Sequence, residues 1–327
     1  RSFTLILGLT LLSSCQFFNR EKPYTGPWVK YTLEVNKEQL PADREARKKL
    51  FAELSRVLQQ RLTKGGLPLG ELKVDEANGT LQLEVGADTA ADLAQVKHLL
   101  SSQGNMEWWP CYPADDIIKQ LAGINGGAQA GTNAGLNRQL FTVLMPAINS
   151  QGQIQAGSVV GYANPRDTAA VLGLLSDSLY KGVFPSDLKW AWSQKPREAN
   201  DPLFELYAIK QSGYCIKNGD FAETKVELDA NTSLPLLNIT LNKEAAKRWE
   251  SMTATAAQAT PQRGCIAIVF CGQVLMAPTV QNKISGGKMQ LNGAGGLQDL
   301  KEMEAMIAAT ELPVQLKIVS EEVESSR

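Results

Sequence analysis

Residues 28–35 read Trp28-Val-Lys-Tyr-Thr-Leu-Glu-Val, and residues 80–85 read Thr80-Leu-Gln-Leu-Glu-Val. Both alternate apolar and polar side chains, the period of a strand with one face on a core. Between them Asp43 can cap a helix on which Leu50, Leu54, Val57, Leu58 and Leu62 share one face, with Gly65-Gly66 to end it. A further strand, 71–75, leads through Asn78-Gly79, a hairpin signal, into the one at 80–85. A second helix from about Asp88 packs through Leu93, Val96 and Leu100, and residues 105–112, with Trp108 and Trp109, read as a last strand. The order β-α-β-β-α-β predicts a ferredoxin-like unit over 28–112.

Outward from this unit the pattern changes. Residues 113–157 are rich in Gly, Ala and Asn without apolar periodicity, and read as an extended loop or insertion. A second α+β region begins at 158. Its strands are expected at 188–194, 204–210, 223–229 and 236–242, and at 266–270, a near-continuous apolar run suited to burial on both faces. A helix capped by Asn242 carries Ala245, Trp249, Met252 and Ala256 on one stripe. A last strand is expected at 313–319.

Composition narrows the function. The chain has 327 residues, with 33 Lys and Arg against 34 Asp and Glu and a single histidine. Near-neutral charge excludes a basic nucleic-acid surface. One histidine, His98, excludes a two-His metal site within the chain, and it lies opposite the apolar stripe of its helix, facing solvent. Neither a nucleophile elbow nor a metal-ligand cluster occurs, and pairs such as Asp115-Asp116 read as solvated charge, so no enzyme and no cofactor is expected.

At the N-terminus an apolar run from Phe3 to Leu12 is too short for a bilayer-spanning helix of roughly 20 residues. It suits a secretory signal, and Leu12-Ser-Ser-Cys15 resembles a bacterial lipobox, making Cys15 a candidate lipid attachment site. The alternative is a ragged transmembrane anchor reaching Phe18. Under the lipobox reading residues 1–14 are signal, 15–27 a tether, and the remaining cysteines meet an oxidising compartment. Cys265 and Cys271 lie about 20 Å apart in an extended strand and cannot pair. A long-range bridge between Cys111 and Cys215 stays open.

Several motifs together resemble the first periplasmic (P1) domain of SecD and SecDF, in its Bacteroidetes-type form. In the first half they are Val57-Leu-Gln-Gln-Arg-Leu-Thr-Lys-Gly-Gly-Leu, Leu81-Gln-Leu-Glu-Val-Gly and Gly104-Asn-Met-Glu-Trp-Trp-Pro-Cys-Tyr. In the second they are Val160-Gly-Tyr-Ala, Ile239-Thr-Leu-Asn-Lys-Glu-Ala-Ala-Lys, Ile266-Ala-Ile-Val, Ala277-Pro-Thr-Val-Gln-Asn-Lys-Ile-Ser-Gly-Gly-Lys and Leu312-Pro-Val. The resemblance covers 28–112 and 158–320. It implies a ferredoxin-like base, 28–112 plus a return strand in 313–327, with an α+β head, 158–312, inserted into it. The family's Asp-Gly hairpin tip stands here as Cys271-Gly272, and its proton-conducting membrane charges have no counterpart in the sequence.

Two functions follow as expectations. The first is a non-catalytic envelope lipoprotein, periplasm-facing, that binds exported polypeptides and works with Sec translocon subunits. Its candidate contact residues are Val274, Leu275, Met276, Val280, Ile284, Trp249 and Met252, each of which has a place in the head core as its alternative. The second is a structural adapter docking onto an envelope complex, with Trp108-Trp109 and Trp190/Trp192 as anchors.

Overall fold

A computed structural model of the chain describes residues 24–123, 133–177, 180, 182–198, 200–293 and 296–324. Cys15 lies outside them. The first elements are β1 (Trp28–Val35), α1 (Arg44–Lys64), β2 (Leu69–Asp75), β3 (Thr80–Gly86) and α2 (Ala90–Ser101). Asp43 caps α1 through a 2.8 Å bond from the Ala46 amide. Thr89 and Asp92 form a capping box on α2, one residue beyond the expected start.

The chain continues through β4 (Met106–Pro110), α3 (Ala114–Gly123), α4 (Asn133–Val143), β5 (Met145–Pro146), β6 (Val159–Ala163) and α5 (Thr168–Leu175). Then come β7 (Leu188–Trp192), β8 (Phe204–Lys210), β9 (Ile216–Lys217), β10 (Phe221–Leu228), β11 (Pro235–Leu241) and α6 (Lys243–Gln258). The last elements are β12 (Ile266–Phe270), β13 (Gln273–Met276), β14 (Lys288–Asn292), α7 (Leu297–Ala308) and β15 (Leu316–Glu324).

The base sheet has the order β15-β1-β3-β2, antiparallel throughout. This is the ferredoxin-like order, but its fourth strand is the returning β15. Periodicity alone assigns 105–112 to that place. In the structure β4 instead pairs with β12 and β9, in a sheet ordered β13-β12-β4-β9. The reason is topological: β15 and β4 both offer an alternating apolar face, and β1 accepts β15 along its whole length. Two more sheets, β10-β11-β14 and β5-β6-β8-β7, complete a mixed α+β molecule.

One large apolar cluster runs from the base (Tyr31, Leu33, Leu58, Leu83) through α7 into α6, β11 and β12. A second lies between the β5-β6-β8-β7 sheet and helices α3, α4 and α5. Residues 113–157 are thus not one extended loop. Ile117, Ile118 and Leu121 of α3, Leu140 of α4 and Leu144 just beyond it join Val171 and Leu175 of α5 in that cluster, in stripes about one turn long that the Gly-rich sequence between them obscures. β12 is buried on both faces as expected, with Ile266, Ile268 and Phe270 toward the first cluster and Ala267 and Val269 toward a small third one.

Candidate functional site

The seven residues singled out from sequence do not form one surface. Trp249 is 6% exposed and meets Trp108 edge-on, ring centroids 5.1 Å apart, inside the first cluster. Val274 is buried in the third cluster and Val280 in the first. Leu275 and Met276 are half-buried against the first cluster. β13, whose pairing with β12 shifts register between Val274 and Met276, therefore gives Val274 to one core and both Leu275 and Met276 to the other. Ile284 is 38% exposed, with its amide held by Thr253 Oγ1 at 2.9 Å. It borders a polar groove on the outer face of the β10-β11-β14 sheet, beside Asn238, Thr240 and Gln290.

Met252 borders a different cavity. A cleft of about 400 Å³ opens between the C-terminal half of α6, the β4–α3 turn and the end of β8. Its lining is more apolar than polar: Met252, Ala256 and Ala259 on the α6 side, Pro110 and Pro113 opposite, and Pro261 at one end. Tyr214, 59% exposed, stands at the mouth. Small residues make the hollow. The run Thr253-Ala-Thr-Ala-Ala gives α6 too little side-chain volume beyond Met252 to fill the space beside the turn.

The polar lining groups are hydroxyls, the charges of Asp115, Asp116 and Lys210, the Gln262 amide and the thiols of Cys111 and Cys265. Ser212 and, behind the lining, the Tyr112 hydroxyl, which donates at 2.6 Å, hold the carboxyl of Asp187, a residue outside the cleft, below the usual carboxylate range. Lys210 lies over the Tyr112 ring, 5.8 Å from its centroid. Asp115 is paired with Lys119 at 2.5 Å. An apolar floor with a rim of hydroxyl and charged groups accepts an apolar side chain and leaves polar partners for the backbone that carries it. Among the described residues, no group of three or more His, Cys, Asp or Glu is placed to hold a metal ion. Sequence reasoning reached Met252 through its helical stripe but missed Tyr214, whose neighbours Ser212, Gly213 and Cys215 carry no periodicity.

The tryptophans considered as docking anchors are packed inward. Trp108 and Trp192 are buried, and Trp109 and Trp190 are half-buried against the third and second clusters. His98, expected on the solvent side, is partly exposed and bonds Glu302 Oε2 through Nδ1 at 2.8 Å, linking α2 to α7.

A second arrangement joins base to insertion. Arg61 of α1 is fully buried and donates to the carbonyls of Leu99 (3.1 Å), Ser102 (2.6 Å), Gln103 (2.5 Å) and Thr310 (3.1 Å). Burial pulls its pKa down to about 10. The β12–β13 turn reaches the same place. Cys271 and Gly272 both have positive φ, 49° and 80°, the requirement of a tight hairpin turn, and Cys271 Sγ accepts the Gly104 amide at 3.3 Å.

Residues 198–314 match the family model for the SecDF P1 head subdomain. The protein translocase subunit SecD of Calditerrivibrio nitroreducens is 25% identical over 207 residues, 63% of this chain and 34% of that protein. SecD of Rhodothermus marinus is 23% identical over 179 residues, 54% of this chain and 28% of the relative. The chain thus spans about a third of the length of these relatives. A crystal structure of SecDF in a super-membrane-facing form shares the fold, with a TM-score of 0.52 and 14% identity over 93% of this chain and 32% of that one.

Proposed function

From a chain that carries a SecD/SecDF P1-like domain, we propose a non-catalytic role in Sec-dependent protein export, in which the inserted region holds segments of exported polypeptides from the periplasmic side of the envelope. The observation that carries this reading is the apolar cleft between α6 and the β4–α3 turn, most of whose lining falls within the matched residues 198–314. Such a cleft takes one bulky apolar side chain at a time without demanding a sequence, which suits a partner that differs with every exported protein. Cys15 supplies the membrane tether in this proposal.

The test is photo-crosslinking in cells, with the probe at Tyr214, Ser251 and Gln262 on the cleft and at Lys73, on β2, as a control. Crosslinks from the cleft to several unrelated exported polypeptides, absent from Lys73, are expected. Capture of a single stoichiometric protein instead supports an adapter. Crosslinks to neither exported polypeptides nor translocon subunits overturn the proposal. For the tether, Cys15→Ala is expected to release the chain from membranes in fractionation, and retention there refutes a lipid at Cys15.

A further inference from the structure

Cys111 follows the last residue of β4 and Cys265 precedes the first residue of its antiparallel neighbour β12. The register pairs Ile266 with Pro110, and one step further places Cys265 directly opposite Cys111. The Cys111 amide donates to the Cys265 carbonyl at 2.9 Å, a single bond that continues the β4–β12 ladder past its last pair, while the outer edges of the two residues bridge to Ile209 and Thr279. Facing residues of antiparallel strands put their side chains on one face with Cα atoms about 4.5–5.5 Å apart, within the roughly 4.4–6.8 Å that a disulfide spans, and their Cβ atoms, about 4.5–5.5 Å apart, need to close to roughly 3.5–4.5 Å for the bond to form. Both cysteines are free in the structure, as are Cys215 and Cys271. Neither of the latter competes well. Cys271 is at the far end of β12 against Gly104, and the charges around Cys215 are those of Lys217, Glu107, Asp220 and Arg248.

We propose that Cys111 and Cys265 close to an intramolecular disulfide that staples β4 to β12. Oxidation consumes a small-molecule disulfide as oxidant. One cysteine thiolate attacks it and expels a first thiol, forming a mixed disulfide. The second thiolate then attacks the protein sulfur, expels a second thiol, and leaves the Cys111–Cys265 bond. Two protein thiols are thereby oxidised and one oxidant disulfide is reduced to two thiols.

Timing follows from burial. Cys265 is buried, and the Cys111 thiol is pushed up to about 12, first by its own burial and then by the neighbouring Cys265. In the finished fold the thiolate is scarce, so the bond forms while the junction is still open, during folding. The bridge closes a long loop, 111–265, and stabilises chiefly by restricting the unfolded chain.

The experiment refolds the full chain from urea in a glutathione redox buffer, with dithiothreitol as control, and maps thiols by alkylation and peptide mass spectrometry. A linked peptide joining Cys111 and Cys265, two hydrogens lighter than its reduced parts, is expected in the glutathione arm and also in a Cys215→Ser/Cys271→Ser variant. Tm should rise by about 5–10 °C over the reduced protein. Recovery of both cysteines fully alkylated, or linkage of Cys111 to Cys215, overturns the proposal. Because the readout is covalent, it is independent of whether the cleft binds polypeptides.

Discussion

Replacing Arg61 by methionine tests whether the junction is held by one guanidinium. Arg61 is fully buried among backbone carbonyls, two of them at the end of α2 and one just beyond α7. Helix C-termini carry partial negative charge, so the cation sits where two dipoles favour it. Methionine matches the stem but leaves four carbonyls without that donor. Each orphaned group costs roughly 1–3 kcal/mol, offset in part because no guanidinium is then taken out of water. The net loss expected is about 3–5 kcal/mol, or a fall in Tm of about 10 °C for a chain of this size. Urea unfolding followed by tryptophan fluorescence measures it, since Trp108 and Trp249 lie in the cluster that Arg61 supports. Arg56→Ala, which breaks the exposed pair with Glu53, is the control and should cost less than about 1 kcal/mol. An Arg61→Met variant within about 1 kcal/mol of the parent would falsify the assignment.

Gly104 has φ 76°, and a Cβ there would lie 2.4 Å from Arg61 Nη2 and 3.1 Å from Met306 Cβ. Gly104→Ala should therefore lower the urea midpoint by an amount equivalent to about 2–4 kcal/mol. An unchanged midpoint would mean the junction yields freely. Cys271→Asp places a residue tolerant of positive φ, and a carboxylate, beside Arg61. It should stabilise by about 1 kcal/mol at pH 7. A carboxylate paired with the cation has a depressed folded pKa, so the gain should be present above about pH 4 and vanish as pH falls through the folded value. A gain that persists in acid would assign it to backbone conformation alone. At the alkaline end, burial raises both Cys111 and the fully buried Tyr31 to about 12. Each keeps its proton longer folded than unfolded, so stability is complete below about pH 9 and declines as pH rises toward 12. Cys111 contributes a slope of about 1.4 kcal/mol per pH unit in that window. Urea titrations in reductant at pH 8, 10 and 11 should show this slope, flattened at its start in Cys111→Ser, and a flat profile would refute it.

What could be read from sequence was what one element reveals by itself. β1 and β3 show their buried faces by alternation, α1 and α6 by their stripes and caps, and β12 by its unbroken apolar run. What needed the third dimension was partner choice. β4 and β15 carry similar local patterns, and only the closing of the base sheet decides that β15 lies beside β1. The resemblance to a P1 domain implied that return strand where periodicity did not. Arg61 sits inside one of the motifs quoted for the resemblance, yet on a helix rich in surface cations nothing local marks it as buried. The cleft was illegible for a related reason. It is made by missing volume on α6 opposite two prolines far away in sequence, and no single segment carries that pattern.

The distribution of cores also bears on how the inserted region can move. The chain leaves the base sheet's side of the molecule near residues 102–105 and returns to it near 309–315, where a loosely packed junction would leave a soft plane. The structure fills that plane. Leu312 donates to Gln103 at 2.9 Å, Arg61 holds carbonyls of both crossing segments, and the first apolar cluster continues from β1 through α7 to β11 without a break. Sliding base against head there would open a large apolar interface and strand a buried cation. The thinner seam lies further out, where the second cluster meets the rest. It is crossed by the small third cluster, by backbone bonds from Tyr112 to Ala208 and Gln194 to Val274, by the Ser158 hydroxyl on the Ala277 carbonyl and by the exposed Lys195–Asp299 pair. Breaking a few backbone bonds and one small cluster costs far less than dividing a continuous core. The part of the molecule that can hinge against the rest at least cost is therefore the β5-β6-β8-β7 sheet with α3, α4 and α5. The Cys111–Cys265 pair lies at its edge, and so does the apolar cleft, whose two walls belong to opposite sides of that seam.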